Sequence, residues 1–417
     1  MKRVQDLLFL AHRIPFPPNK GDKIRSFHIL RHLASRFKVH LGCFCDEAAD
    51  QRHIAPLREL CSEVFCLPLG RTQIAMRSLR AVALGKSISE ASYRDRRMSA
   101  WIRDTLGKHE IKDIFVFCSA MAPYVLGCCS DRRVVIDIVD LDSAKWEAYA
   151  RSAPWPLSTL YRFEQRNVFL LERQAAAACD RALFVSKAEA NAFLNLAPEL
   201  SGRVEYLENG VDLDRFDPAH VFPNPFGKGK STIVFTGAMN YRPNVDAVVW
   251  FVQEAFPAIR RTHAGAEFWI VGANPTASVR RLSRQAGVRV TGAVSDVRPY
   301  IANADCAVAP LRLGRGVQNK VLEAMAMAKP VVLTLAAHEG LNAIPGEEVL
   351  LANSGWDFAR CVSDVLSGQW NEMGRAARAR VELDHRWPQN LNVLDQLFPQ
   401  PPAPAAAQPE VGSAPWI

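Results

Sequence analysis

One segment in the second half of the chain combines residue types that suit a phosphorylated ligand. It reads APLRLGRGVQNKVLEAMAMAKPVV and runs from Ala309 to Val332. Gly314 and Gly316 permit a tight loop, and the following helix is expected to begin near Gln318. The free amide groups of a helix start attract an anion such as a diphosphate. We therefore predict an anion-binding loop in front of this helix.

Two charged residues of that helix share one face. Lys320 and Glu323 are three positions apart, which places them side by side on a helix surface. Turned toward a ligand, Lys320 would meet phosphate and Glu323 would accept hydrogen bonds from ribose hydroxyls. A solvated Lys–Glu pair on an amphipathic helix explains the same spacing, so the pair alone does not decide the matter.

A second basic segment, HRIPFPPNKGDKIRS over 12–26, follows the first apolar run. In an open parallel sheet, loops at the carboxyl ends of strands form the ligand crevice. Prolines fix this loop, and Gly21 lets backbone amides approach a ligand at the start of the next helix. Positive charge for a phosphate would come from Lys20, Lys23 and Arg25. The simpler alternative is a rigid turn with solvated lysines.

Two turns elsewhere have the same strand-to-turn character. ENGVD over 208–212 contains an Asn-Gly turn signal and is weak by itself. FTGAMNYRPNVD over 235–246 runs from a strand through a glycine turn into a helix, which we expect Asn244 to cap. This arrangement would place backbone amides and Arg242 at the top of a second sheet.

Alternation of short apolar runs with amphipathic helical stretches positions these segments. The pattern indicates parallel sheets covered by helices, in two successive α/β halves. Predicted strands are Leu7–Ala11, Val39–Cys45, Val64–Leu67, Ile114–Phe117, Val134–Ile138, Ala182–Val185, Thr232–Thr236, Glu267–Val271, Val288–Thr291, Cys306–Pro310, Val331–Thr334 and Val349–Leu351, with helices near 244–261 and 319–328. We predict a first domain over 1–212, a linker over 213–230, a second domain over 231–384, a helix over 385–398 that packs back toward the first domain, and a disordered Pro/Ala-rich tail over 399–417.

Composition narrows the class of protein. The 417 residues include 21 Phe, 9 Trp and 7 Tyr, enough to bury a large core, which excludes disorder over the whole chain. No apolar run reaches the roughly 20 residues that a membrane-spanning helix needs. The 10 cysteines lack the spacing of a zinc site, so we expect reduced thiols. The run over 7–11 is too short for a signal peptide, and we interpret it as the first strand of a cytoplasmic protein.

The positive charge is concentrated at one end. The net charge is +8, and residues 1–110 hold 20 Lys/Arg against 11 Asp/Glu. Between positions 71 and 108, basic residues are interleaved with Ile74, Leu79, Val82, Leu84 and Trp101. This combination predicts peripheral attachment to anionic lipid of the inner membrane leaflet; a solvated basic face is the alternative.

Taken together, the motifs resemble the retaining GT-B glycosyltransferases of the family-4 (group 1) type. The shared elements are Pro-Pro-x-x-Gly after the first strand, Asn-Gly-Val-Asp before the linker, Thr-Gly after the first strand of the second domain, and Glu-Ala-Met-Ala before Pro-Val-Val. They occur in the family's order. More narrowly, HRIPFPPNKGDKIRSFH, VDLDSAKW, FTGAMNYRPNVDAV and RGVQNKVLEAMA resemble the sugar transferases of exosortase-associated exopolysaccharide clusters.

The resemblance implies two Rossmann-like domains whose parallel sheets face each other across a cleft. The nucleotide sugar would bind mostly to the second domain and the acceptor to the first. The catalytic residues would be Lys320, Arg315 and His12. The donor-binding residues would be Gly21, Asp22, Gly237, Arg242, Gln318, Asn319, Lys320 and Glu323.

The chain departs from the family pattern at three places. Arg315 stands where the family has the first Glu of Glu-x7-Glu. The turn after Gly237 lacks the usual basic pair, for which Arg242, Arg315 and Lys320 could supply charge. Cys118 follows the strand after which the family has a histidine, and His12 is the nearest alternative.

These observations predict an enzyme that moves a sugar from a nucleotide-diphosphate sugar to a glycan or lipid-linked acceptor in exopolysaccharide biosynthesis. We expect no metal and no cofactor beyond the nucleotide sugar, and no nucleic-acid partner. A nucleotide-sugar epimerase of the same architecture and a degenerate transferase acting as an assembly scaffold remain alternatives.

Overall fold

Two parallel β-sheets with packed helices form the protein. The structure is a computed structural model and describes residues 4–46, 48–127, 131–227, 229–312 and 317–399. Numbered in chain order, the strands of the first sheet follow the order 3-2-1-4-5-6-7, and those of the second follow 10-9-8-11-12-13. The strand pairs of both sheets are parallel. The predicted α/β class with two parallel-sheet domains is confirmed.

The first sheet collects the strands of the N-terminal half. They are β1 Asp6–Ala11, β2 Lys38–Cys45, β3 Glu63–Pro68, β4 Asp113–Phe117, β5 Arg133–Val139, β6 Arg181–Phe184 and β7 Val204–Tyr206. The α-helices of this half are α1 Gly21–Ala34, α2 Ile54–Leu60, α3 Arg71–Ala83, α4 Ile88–Ser92, α5 Arg96–Lys108, α6 Asp142–Ser152, α7 Leu157–Ala178 and α8 Lys187–Leu196. Short 3-10 helices cover Ala48–His53, Ser119–Tyr124 and Pro198–Leu200.

The second sheet and its helices follow. The strands are β8 Ser231–Thr236, β9 Ala266–Val271, β10 Val288–Gly292, β11 Cys306–Ala309, β12 Val331–Leu333 and β13 Leu350–Leu351. The helices are α9 Arg242–Glu254, α10 Phe256–Thr262, α11 Ala277–Leu282, α12 Arg298–Asn303, α13 Asn319–Ala326, α14 Leu335–His338, α15 Gly355–Leu366, α16 Met373–Asp384 and α17 Trp387–Leu397.

The twelve predicted strands coincide with observed ones, one observed strand was missed, and two local predictions are wrong. Strand β7 was not predicted, since three residues carry too little pattern. The helix expected over 244–261 is two helices, because Pro257 lacks the N–H that would continue α9. Asn244 does not cap α9, which begins at Arg242; its side chain donates to the carbonyl of Ala238 at 3.0 Å. The tail over 400–417 lies outside the described residues.

Strand β1 is buried on both faces, as its unbroken apolar sequence requires. Leu8 and Leu10 pack on one side with residues of α5. Leu7 and Phe9 pack on the other with α1 and α17. The last helix thus returns to the first sheet and buries Trp387 there.

Two crossings between the domains lie side by side. The amide of Val211 donates to the carbonyl of His385 at 2.8 Å, and the His385 ring contacts the carbonyl of Asn209 at 3.1 Å. Gly210 lies directly against Trp387: a Cβ there would be 2.6 Å from the Trp387 nitrogen. Only glycine permits this close approach of the two segments.

We predict that Gly210→Ala lowers stability, because the added methyl group must push the two crossings apart. Overpacking of this kind costs about 1–3 kcal/mol. Thermal unfolding followed by circular dichroism measures the effect. Gly227→Ala is the matched control, since a Cβ at Gly227 meets nothing within 4 Å. Equal unfolding temperatures for the two variants would contradict the proposed close packing.

Candidate functional site

The sheet topology brings four loops to one crevice. Strand β1 lies between β2 and β4, and strand β8 lies between β9 and β11, so strand order reverses at both places. Ligands of parallel α/β sheets bind at the carboxyl ends of strands beside such reversals. The loops there begin at His12, Cys118, Gly237 and Pro310. Three of the four belong to segments singled out from the sequence.

Two glycines shape the wall that the second domain contributes. Gly237 has φ 150° and Gly272 has φ 154°. A Cβ at Gly272 would be 1.8 Å from the carbonyl oxygen of Gly237, and one at Gly237 would be 2.7 Å from Asn244 Nδ2. The loops after β8 and β9 therefore touch through their backbones, which only glycine allows.

Lys320 is fixed beside this glycine turn. Its Nζ donates to Asn244 Oδ1 at 3.1 Å and lies 5.3 Å from the centre of the Phe235 ring. The predicted helix start is correct, since Gln318 is the N-cap residue of α13. Asn244 is a residue that sequence reasoning assigned to a different task, because its partner lies 76 positions away.

Lys320 and Glu323 are both strongly desolvated. Burial lowers the pKa of Lys320 to about 8, although the Glu323 carboxylate opposes the shift. Burial raises the pKa of Glu323 to about 7, against the attraction of Lys320 and Arg215. Charged groups whose pKa values are displaced by desolvation in a cleft are typical of ligand sites. An anionic ligand beside Lys320 would stabilise the charged form of the ammonium group, which burial disfavours.

His12 and Asp22 face each other on the first domain. His12 Nε2 lies 3.4 Å from Asp22 Oδ2, and Arg13 donates to the same carboxylate oxygen at 2.8 Å. Burial opposes charge on both groups, yet the pKa of His12 is well above its usual value because Cys118 and Asp22 stabilise the imidazolium. The pKa of Asp22 is held well below its usual range, since His12 and Arg13 outweigh burial.

His12 also lies at the end of β4. Its ring stacks on Phe117 with centroids 5.8 Å apart and meets Tyr93 edge-on at 5.5 Å. Cys118 follows with φ 80°, a strained value for a residue other than glycine. His12 follows β1, but its ring lies at the end of β4. The family resemblance places a histidine at the end of β4.

The helix starts of α1 and α13 meet across the cleft. A Cβ at Gly21 would lie 3.7 Å from Asn319 Nδ2. Asn319 Oδ1 accepts a hydrogen bond from Asn209 Nδ2 at 3.1 Å. The structure thus brings together Gly21, Asn319 and, one residue on, Lys320. The positive ends of two helix dipoles share this place.

A fully buried ion pair holds the segments that bring the starts of α1 and α13 together. Arg25 donates to both carboxylate oxygens of Asp137, at 2.7 and 3.0 Å. It also donates to the Leu207 carbonyl at 2.6 Å and to Asn209 Oδ1 at 2.9 Å. Neither Arg25 nor Asp137 is exposed at all. This network was not predicted from the sequence. The one member of it that the sequence had marked was Asn209, through its weak turn signal.

Several predicted roles need correction. Arg25 and Lys23 are buried and paired with Asp137 and Asp50, so they do not offer charge to a phosphate. Arg242 donates to Ser152 Oγ at 3.0 Å and its guanidinium lies 4.7 Å from the Tyr149 ring centre, both in the first domain, and its role in donor binding stays a prediction. Residues 313–316, and with them Arg315, lie outside the described residues.

Comparison with known proteins agrees with this architecture. Residues 230–367 match the family described as "Glycosyl transferases group 1". No curated protein matches the sequence.

Solved structures resemble nearly the whole chain. Sucrose-phosphate synthase from Thermosynechococcus elongatus is 14% identical over 94% of this chain and 98% of its own, with a TM-score of 0.66. WaaG, a glycosyltransferase involved in lipopolysaccharide biosynthesis, is 15% identical over 94% and 100%, with a TM-score of 0.65. HepE from Anabaena, in complex with UDP and glucose, is 14% identical over 94% and 98%, with a TM-score of 0.63.

The two domains and the cleft between them define the GT-B fold. Residues 230–367 of the second domain match the group 1 glycosyl transferases, and the solved structures share the fold over nearly the whole chain. Among the described residues, no helix is long and apolar enough to span a bilayer.

We predict that Arg25→Met is strongly destabilising, because it leaves the Asp137 carboxylate buried without a partner. Breaking a buried pair in this way costs about 3–5 kcal/mol. Chemical denaturation measures the change. Lys108→Ala, which breaks an exposed pair with Asp104, is the control and should leave the midpoint unchanged. A midpoint for Arg25→Met equal to that of the control would show that the pair does not stabilise the fold.

Proposed function

We propose that this protein is a glycosyltransferase that uses a nucleoside-diphosphate sugar and transfers the sugar, with retention and without a metal ion, to a glycan or lipid-linked acceptor of exopolysaccharide synthesis. The observation that carries the proposal is the meeting of the α1 and α13 helix starts beside Lys320. Free amides of two helices and a desolvated ammonium group form a site for a diphosphate.

Glu323 and the glycine turn suit the rest of the donor. Glu323 lies one turn after Lys320, so a diphosphate at the helix start brings its ribose within reach of the carboxylate. Gly237 has no side chain, which leaves room for close approach of the donor beside Lys320. HepE, which has the same fold, binds UDP and glucose, which makes uracil the first base to test. Gln318 at the helix start would contact the phosphates as well.

Metal-free catalysis is supported by the groups around the leaving diphosphate. Lys320 and the amides of two helices stabilise developing negative charge, a task that a divalent cation performs in other transferases. The acidic pair Asp140 and Asp142 has the spacing of a metal motif. However, Asp142 lies 3.3 Å from Lys145 Nζ, and burial raises the pKa of Asp140 to about 7, so both carboxyls are poorly suited to bind a cation.

His12 is the side chain of the first domain that would contact the transferred sugar. Asp22 holds its Nε2 side, and Phe117 fixes the ring plane. In this arrangement Asp22 acts through His12 and is a positioning residue instead of a donor contact. A protonated His12 would donate a hydrogen bond to a sugar hydroxyl or to the departing phosphate.

The acceptor belongs to polysaccharide assembly in this proposal. The sequence resembles transferases of exosortase-associated exopolysaccharide clusters, and WaaG is involved in lipopolysaccharide biosynthesis. Both observations favour an acceptor that is itself a growing glycan on a lipid.

A surface of the first domain suits delivery from a membrane. Helix α3 exposes Met76 and Leu79 at 67% and 75%, and Leu84 follows at 59%. Arg80 and Lys86 are exposed beside them. Apolar side chains flanked by cations are typical of helices that lie at a lipid interface.

The rest of the basic stretch over 71–108 does not form a membrane surface of this kind. Trp101, which was expected at the lipid interface, is buried against Phe65, with ring centroids 5.1 Å apart. Arg94 pairs with Glu90, and Arg97 pairs with Asp95. The proposed membrane surface is therefore α3 and the turn after it.

We predict that Lys320→Ala and Glu323→Gln each weaken binding of UDP-sugars tenfold or more. The loss of a hydrogen bond to a charged group costs about 1.5–3 kcal/mol. Isothermal titration with a panel of nucleoside diphosphates and their sugars measures the affinity. Arg261→Ala removes an exposed cation of the same domain and serves as the control. Unchanged affinity in both variants would refute the donor site.

A product assay separates transfer from the alternative of epimerisation. The wild-type protein should consume donor only when acceptor is present, and NMR of the product should show the donor's anomeric configuration. Conversion of the nucleotide sugar without acceptor would favour an epimerase instead.

We also predict that the protein floats with anionic vesicles at low salt and detaches at high salt, where the attraction is screened. Each cation near an anionic leaflet contributes about 1 kcal/mol. Arg80→Glu combined with Lys86→Glu should abolish flotation and preserve donor affinity. Arg281→Glu combined with Arg284→Glu, at two exposed sites of the second domain, changes the net charge by the same amount and is the control. Wild-type protein that stays at the bottom would leave a soluble acceptor as the better choice.

A further inference from the structure

Three ionisable side chains converge at the amino ends of β1 and β2, the end of the first sheet that faces away from the cleft. Asp6 begins β1, His40 is the third residue of β2, and His109 directly follows α5. One ligand atom from each lies within 4.8 Å of the others. The site is roughly 20 Å from His12, since six residues of a parallel strand separate them at about 3.3 Å each.

We propose that Asp6, His40 and His109 bind a divalent transition-metal ion of the zinc class. Two imidazoles and a carboxylate are the ligands that zinc takes in sites with three protein ligands and one water. Ligand atoms of a tetrahedral site with bonds of about 2.0–2.1 Å are about 3.3 Å apart. His40 Nε2 and His109 Nδ1 lie 2.9 and 3.9 Å from the same oxygen of Asp6, which brackets that value.

The surroundings of His40 resemble those of a metal-bound histidine. Its Nδ1 lies 3.3 Å from Glu63 Oε2, and Glu63 Oε1 accepts a hydrogen bond from Trp101 Nε1 at 2.8 Å. A carboxylate on the far nitrogen orients the ring and increases its basicity as a ligand. The two imidazole rings are 4.2 Å apart and approach one carboxylate oxygen together. A simple ion pair between Asp6 and His40 does not require the second ring.

The packing of α5 explains why these groups meet. A Cβ at Gly42 would be 2.6 Å from Trp101 and 3.1 Å from the sulfur of Met98, so α5 lies directly on β2. This contact brings the end of α5, and His109 with it, over the start of the strands. The His109 side chain is 38% exposed and that of Asp6 15%, which gives an ion access and leaves room for a water ligand.

Metal binding to the purified full chain tests the proposal. After dialysis against a chelator, Zn²⁺ should bind at one site by isothermal titration, and Co²⁺ should give the visible absorption of a four-coordinate nitrogen and oxygen site. Mg²⁺ should not compete, because it prefers oxygen ligands. His109→Ala and Asp6→Asn should each weaken Zn²⁺ binding tenfold or more. His220→Ala, an exposed histidine of the linker, is the control.

The variants avoid the buried His40, so that folding is preserved, and circular dichroism checks it. Zn²⁺ affinity that is the same in both variants and in the control would overturn the proposal, as would absence of binding to the wild-type chain. The contacts of His40 with Asp6 and Glu63 alone would then explain the cluster. UDP affinity should not change on removal of the metal, so failure here is distinguishable from failure of the proposed donor site.

Discussion

The buried pair of Arg25 and Asp137 is the interaction on which the geometry of the cleft depends. It joins α1 to β5, and the remaining donors of the guanidinium fix the crossing at Leu207 and Asn209. Asn209 in turn contacts Asn319 at the start of α13. A planar group with five donors is suited to hold three separate segments in one arrangement. The relative position of the two helix starts therefore follows from a guanidinium group that is fully buried.

The cleft combines this rigid support with poorly solvated charges. Lys320 and Glu323 are both displaced from their ordinary pKa values by burial, in opposite directions. Such groups are expensive to keep without a partner. In the proposed donor site, the same desolvation strengthens their interaction with an incoming diphosphate and ribose. Under that proposal, stability and ligand binding are linked at one helix.

Individual residues show which features could be predicted from the sequence and which could not. The unbroken apolar run of β1 and the glycine turn after β8 were recognised because they depend on neighbours in the chain. The partners of Arg25, Lys23, Arg242 and Trp101 were not predicted. A cation or an aromatic residue gives the same local sequence pattern whether its side chain is buried or exposed. Asn244 illustrates the same limit: its spacing suited a helix cap, but its amide contacts Ala238 and Lys320.

The alternation of strands and helices, the two α/β halves and the loops that follow the first strand of each half could be predicted from the chain alone. These features depend on local patterns of hydrophobicity and turn residues, which lie within a few positions of one another. Tertiary packing establishes which charges are paired, that His12 lies at the end of the neighbouring strand, and that Asp6, His40 and His109 converge. Those contacts join residues many positions apart, and side-chain burial and partners exist only once the sheets and helices have packed.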